Sequence, residues 1–135
     1  MREYMGLYRG KRICNGKWME GYLLRLADGT CLICQAGYRI NRYKVDPNSV
    51  GECTSLRDEN GKLIFEGDIL RLGGHDLPHW MKKGQKCEVE YNAGGFVPLS
   101  DYDSDCGDYV VAGDCEIIGN IHDNPELLKG GEGDG

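Results

Sequence analysis

Five stretches of this 135-residue chain place carboxylates, thiols, imidazoles or cations at spacings that chemistry could use. In "IFEGDIL", Glu66 and Asp68 flank Gly67. Two carboxylates act as an acid–base pair only when they converge on one cleft with separated pKa values. A glycine inside an apolar run more often marks a β-bulge. That reading puts both carboxylates on the outside of a bent strand, and it is preferred here. Cys31 and Cys34 form a C-x-x-C. Structural zinc needs four convergent ligands, commonly two such pairs, and no second pair follows. On a strand, residues three apart point to opposite faces, and the helix that opens a redox C-x-x-C is missing. These thiols are expected at a core or an edge.

His75 and His79 are four apart, with Cys87 as the nearest third ligand, but Pro78 stands between them in a glycine-flanked loop. Helical spacing therefore does not apply, and both imidazoles are expected to face solvent. His122 stands alone. In "DYDSDCGD", Asp101, Asp103 and Asp105 follow the one-three-five spacing of a calcium loop. The glycine comes seventh, at Gly107, and Ala112 occupies the position of the bidentate glutamate. A solvated acidic loop is expected, with weak cation binding at Asp101, Asp103 and Asp105 as the alternative. No catalytic residue, metal ligand or cofactor is assigned.

The fifth stretch is broader. Arg9, Lys11, Arg12, Lys17, Arg39, Arg42 and Lys44 interleave with Tyr8, Trp18, Tyr22, Tyr38 and Tyr43. Cations beside stacking aromatics suit single-stranded nucleic acid. Aromatics on a sheet more often fill its core, so nucleic-acid binding is the second reading.

The elements that position these residues read as short strands. "YMGLYRGKRI", "KWMEGYLLRL", "TCLICQA", "KLIFEGDILRL", "CEVEYNAGGFVPL" and "CEIIGNIH" are rich in aromatic and branched residues. Asn15-Gly16, Asp28-Gly29 and Asn60-Gly61 predict tight hairpin turns with positive φ at both central residues. Asp58 can bond back to its own turn amides. In residues 87–99, Val89 and Tyr91 alternate with Glu88 and Glu90. Ile117, Ile118 and Ile121 mark a last strand, followed by a helical turn capped by Asn124 with Pro125 first. Residues 45–52 and 73–85 read as loops. The fold class is α+β and mostly β: antiparallel hairpins around a partly open, barrel-like or sandwich core with little helix. Two halves are expected, 1–55 and 56–129, with or without a shared core, and a flexible tail, 130–135.

Composition agrees with a globular chain: 40% hydrophobic, 28% charged, with 21 glycines that imply many turns. Seven cysteines, irregularly spaced and without a secretion signal, are expected reduced. No apolar run reaches membrane-spanning length, so a cytoplasmic location is expected. The net charge is −6, divided as +3 over residues 1–60 (ten Lys/Arg, seven Asp/Glu) and −9 over 61–135 (six and fifteen). Acidity argues against a general nucleic-acid coat, yet leaves a local basic patch or head-to-tail contact between copies open.

Four blocks in order carry a family likeness: "YRGKRICNGKWMEGYLL", "VDPNSVGECTSLRDENGKLIFEGDIL", "CEVEYNAGGFVPL" and "EIIGNIHDNPELL". Together they resemble the YopX family of phages and prophages of low-GC Gram-positive bacteria. The resemblance implies a mostly β fold and a phage origin. The family has no assigned activity, so no catalytic residues carry over. This chain departs at Thr54-Ser55-Leu56, where the family usually has Thr-Gly-Leu. It has Cys14 where an Asp commonly precedes the Asn-Gly turn, and Cys53 in place of an aromatic. The expected role is a non-enzymatic accessory or interaction protein in the host cytoplasm. The expected partner is a phage or host protein, with nucleic acid second, a homo-oligomer allowed and no membrane.

Overall fold

A computed structural model describes residues 6–35, 37, 39–73, 82–92, 95–97, 99–100 and 110–128. The chain divides into two units, Met1–Cys53 and Thr54–Gly135.

In the first unit, β1 (Leu7–Lys11), β2 (Trp18–Arg25), β3 (Cys31–Gln35) and β4 (Asn41–Val45) form an antiparallel meander in the order β4-β3-β2-β1. Asp46 then caps a 3-10 turn, Pro47–Ser49, its carboxylate accepting from Asn48 N at 3.0 Å. The chain enters β5 (Gly51–Arg57), whose Gly51 and Glu52 pair with Arg9 and Tyr8 of β1. The end of β4 returns to the end of β1. Arg12 and Val45 form an isolated bridge, and Asp46 N donates to Lys11 O at 2.8 Å. These bonds curl the sheet without closing it into a barrel. A Cβ at Gly10 would stand 2.7 Å from Val45 Cγ2, so the approach of β4 over β1 requires glycine there. Cys31, Ile33 and Val45 form the buried centre, packed by Tyr8, Met19, Leu23 and Val50.

In the second unit, β5 continues from Thr54 and pairs with β6 (Leu63–Phe65). Thr54 Oγ1 is buried and donates to Ile64 O at 2.8 Å. Ser55, beside it, has φ +67°, a left-handed value that L-residues adopt at a cost. Then follow β7 (Asp68–Arg71), β8 (Lys86–Glu88), β9 (Glu90–Asn92), β10 (Gly95–Val97), β11 (Leu99–Ser100), β12 (Val110–Val111) and β13 (Glu116–Asn120). β7 is central in a three-stranded sheet, between β13 and β8. β9 and β10 make the expected hairpin. β11 and β12 pair in parallel, unlike the antiparallel hairpins around them. Ile64, Leu70, Leu72, Val89, Leu99, Ala112 and Cys115 form the core. The described elements are strands and three short 3-10 turns, which gives the mostly β architecture expected from the sequence.

Two local expectations need correction. The Asn-Gly and Asp-Gly turns hold positive φ only at Gly16, Gly29 and Gly61, not at the residue before. They are longer loops than the two-residue type, in which one glycine alone takes the left-handed position. Asn124 precedes Pro125 as expected, but its side chain does not cap that turn. It accepts instead from Asn120 N at 3.2 Å, tying the turn to β13.

Candidate functional site: a basic, aromatic sheet face and two buried aspartates

The bulge at Gly67 is present. Gly67 has φ +93°, its N–H donates to Val89 O at 2.8 Å, and Val89 N donates to Asp68 O at 2.9 Å. Gly67 and Asp68 together therefore oppose one residue, Val89, with glycine in the left-handed position. The inserted residue breaks the in–out alternation, and Asp68 is turned inward rather than outward. It is 2% exposed, and its Oδ2 accepts from Phe65 N at 2.7 Å. This corrects the expectation that both carboxylates lie outside. Glu66 is half-buried. Partial burial, with Glu90 and Glu66 nearby, raises the Glu88 carboxyl above its ordinary value.

Asp58 is the second buried aspartate. Its Oδ1 accepts from Asn60 N and Lys62 N, each at 2.9 Å. Its Oδ2 accepts from Ile117 N at 3.0 Å, and Glu59 N donates to Cys115 O at 2.8 Å. Burial acts to raise the Asp58 carboxyl. The three backbone donors, Ile117 foremost, and the Lys62 charge outweigh it and hold the group below its usual value. Asp58 thus commits both carboxylate oxygens, and Asp68 its Oδ2, to backbone amides.

The thiols take structural positions. Cys31 lies inward on β3 opposite Val45, and Cys34 lies on the other face opposite Arg42, as three-residue spacing requires. Cys87 is pushed up to about 12 by burial and then by Cys115. Cys115 is pushed up to about 11, mainly by burial. Both are protonated thiols at neutral pH and poor nucleophiles. Cys14, Cys31, Cys34, Cys53, Cys87 and Cys115 form no disulfide. Among the described residues, no three His, Cys, Asp or Glu side chains gather as a metal site. His75, His79, Cys106 and the acidic loop with Asp101, Asp103 and Asp105 lie outside the described residues. Among the described residues, no helix is long and apolar enough to cross a membrane.

The first unit gathers a different set. Directly paired residues of neighbouring strands share a face. Register places Leu7 beside Tyr22, Arg9 beside Glu20 and Lys11 beside Trp18. It then runs Tyr22–Cys34–Arg42 and Leu24–Leu32–Lys44 across β2, β3 and β4. All lie on the face opposite the buried Cys31, Ile33 and Val45. Within β1–β4 this outward face holds four cations and one carboxylate, Glu20. Arg9 stacks over the Trp18 ring, its guanidinium carbon 4.8 Å from the centroid, and Lys11 Nζ lies 5.9 Å from the same centroid. Tyr22 is 61% exposed and Leu24 43%. Arg42 and Lys44 are exposed.

The remaining members of the sequence set separate. Tyr8 and Tyr43 belong to the inward register, and Arg12 stacks over Tyr43 at 4.8 Å. Lys17 and Arg39 are exposed outside the strands. Tyr38 lies outside the described residues. Sequence reasoning missed Leu24 and Leu26, the latter 41% exposed. The two-residue step Trp18, Glu20, Tyr22, Leu24, Leu26 was the available signal.

The comparisons agree with this architecture. The family model described as "YopX protein" matches residues 8–129. A curated relative, the SPbeta prophage-derived uncharacterized protein YopX of Bacillus subtilis (strain 168), is 33% identical over 75 residues. That match covers 52% of this chain and 53% of the relative, so the chain spans about half the length of that relative. Among solved structures, protein EF1440 from Enterococcus faecalis has a similar fold, with a TM-score of 0.51 at 23% identity. The alignment covers 90% of this chain and 96% of that one. With the family match running through both units, the chain belongs to the YopX family.

Proposed function

We propose that this chain is a prophage accessory protein that works by binding in the bacterial cytoplasm and catalyses no reaction. The prophage origin rests on the relative in Bacillus subtilis, whose name carries it. The observation that carries the binding role is the outward face of β1–β4. Tyr22 and Leu24 stand open to solvent between two pairs of cations, on a chain whose net charge is −6. Exposed apolar groups gathered on one face, rather than scattered, mark interaction surfaces. The non-catalytic role is supported by the fate of the carboxylates. Among the described residues, the buried carboxylates Asp58 and Asp68 are held by backbone amides.

A tagged full chain and a face variant, Tyr22→Ala with Arg42→Glu and Lys44→Glu, test this in host lysate. A control variant reverses the exposed Lys82 and Lys83 of the second unit. The face variant should melt like wild type and lose the macromolecules that wild type and control retain. Equal retention by all three refutes the assignment of the face.

A further inference from the structure

We infer that the occupant of this face is a single-stranded nucleic acid, its bases stacking at Tyr22 and its phosphates running to Arg9, Lys11, Arg42 and Lys44. The inference rests on the binding-face reading above and names its ligand.

The first argument is charge. The four cations sit in two pairs, Arg9 and Lys11 on β1, Arg42 and Lys44 on β4. Within β1–β4 one carboxylate, Glu20, opposes them on that face. A chain of net charge −6 whose β1–β4 outward positions hold four cations to one carboxylate is complementary to a polyanion there. Protein interfaces, by contrast, are depleted in lysine at their centres.

The second argument is the aromatic surface. Trp18 already carries Arg9 on its ring, a fixed cation–aromatic pair whose guanidinium plane offers a further stacking surface. Tyr22, 61% exposed, presents its ring to solvent in the same row as Arg42. A ring in solvent with a cation two strands away on the same face suits a stacked base whose phosphate reaches that cation.

The third argument separates single strands from duplex. Around the curl through β2 and β3, three strand spacings of about 4.8 Å separate the two cation pairs, while the bonds between the ends of β1 and β4 bring Lys11 and Lys44 together on the other side. The duplex major groove, about 12 Å wide, admits a helix or a two-stranded ribbon but not the outside of a curled four-stranded sheet. A duplex also keeps its bases stacked on one another and away from Tyr22. A single strand lies across the face, with bases over β2 and β3 and backbone toward either pair.

The test is fluorescence anisotropy with the full chain. The probes are labelled oligo-dT and oligo-U of about 16 nucleotides, the upper end of known site sizes, and a duplex of equal length. Both single strands should bind more tightly than the duplex, and the better of the two identifies DNA or RNA as the source. Over roughly 0.05–0.2 M salt, four neutralised phosphates give a log–log slope of about −3. Tyr22→Ala should weaken binding about tenfold with the slope unchanged, because stacking carries no counterion term. Arg42→Ala with Lys44→Ala should lower the slope to about −1.4.

Duplex binding as tight as single-strand binding, or indifference to Tyr22→Ala, overturns the inference. Failure of every oligonucleotide also overturns it. If the face variant still loses its capture in lysate, the surface stands and its occupant is a protein. If that variant loses nothing either, the binding-face reading falls as well.

Discussion

The turns at residues 26–30 and 58–62 share one backbone and differ in what their aspartates do. In the first, Leu26 N donates to Thr30 O at 2.8 Å and Gly29 N to Leu26 O at 3.0 Å. In the second, Asp58 N donates to Lys62 O and Gly61 N to Asp58 O, both at 2.9 Å. Each turn places glycine at positive φ, +93° and +81°. Asp28 is exposed and accepts from Thr30 N at 2.9 Å, inside its own turn. Asp58 is 5% exposed and reaches beyond its turn to the Ile117 amide, at the start of β13. The aspartates hold different places, third residue of the first turn and first of the second, so the same backbone is self-contained in the first unit and clamps β13 in the second. The difference follows from the aspartate's place in the turn and from where its second carboxylate oxygen goes. In water it is solvated. Against β13 it is the acceptor for an amide that would otherwise be buried without one.

The most severe break in this comparison removes both carboxylates in turn. Asp58→Ala leaves the amides of Asn60, Lys62 and Ile117 without their acceptor and should cost about 3 kcal/mol. Asp28→Ala should melt within error of wild type. Equal losses in the two variants would mean that the bond to Ile117 contributes nothing beyond the turn.

The second break asks whether the two backbones are equivalent. A Cβ at Gly29 or Gly61 meets nothing within 4 Å, so only φ penalises a side chain there. Gly29→Ala and Gly61→Ala should each cost about 1–2 kcal/mol, and equally. A markedly larger loss at Gly61 would show that the clamp strains its turn.

How far the sequence foretold this can be seen at particular residues. The glycine-containing turns, the Gly67 bulge and the Asp58 back-bonds were legible, because each depends on neighbours in the chain. The number of residues with positive φ was not, because it depends on which residues of the flanking strands pair. The burial of Asp68 was hidden for a related reason. Alternation counts residues, and the bulge adds one. The outward direction of Trp18 and Tyr22 was hidden too. Either face of "WMEGYLLR" offers apolar residues, and the choice is made by Gly10, whose missing side chain admits Val45 to the opposite face.

Ser55 sharpens the contrast from the other side. It holds φ +67° without the freedom of glycine, and no other described non-glycine residue has positive φ. It also stands where the family usually has glycine. Ser55→Gly relieves the strain, against some loss of order in the unfolded chain and of the serine's own contacts. A gain of up to about 1 kcal/mol is expected in chemical denaturation. A loss of stability would show that the serine side chain holds its position by more than its strain.

The smallest effect is in the acid limb of stability, and it isolates the ionic part of the clamp. Burial would raise the Asp58 carboxyl, but the amides of Ile117, Lys62 and Asn60 hold it below its ordinary 3.8. A carboxyl that is more acidic in the folded state binds its proton less tightly there than in the unfolded chain. Its contribution is therefore complete above the unfolded value and is lost as pH falls through the folded one. Wild type should lose that contribution below about pH 4. Asp58→Asn, less stable at neutral pH, should show a flatter limb in that window because the proton-linked component is gone. Asp28 is also held low, first by the Thr30 amide, but it is fully in water. Solvent screens its link to folding, and Asp28→Asn should follow the wild-type limb. Denaturant midpoints for the three proteins across this window decide the matter. Parallel limbs for wild type and Asp58→Asn would mean that the clamp works as a neutral acceptor, and that its charge adds nothing to the joining of the turn to β13.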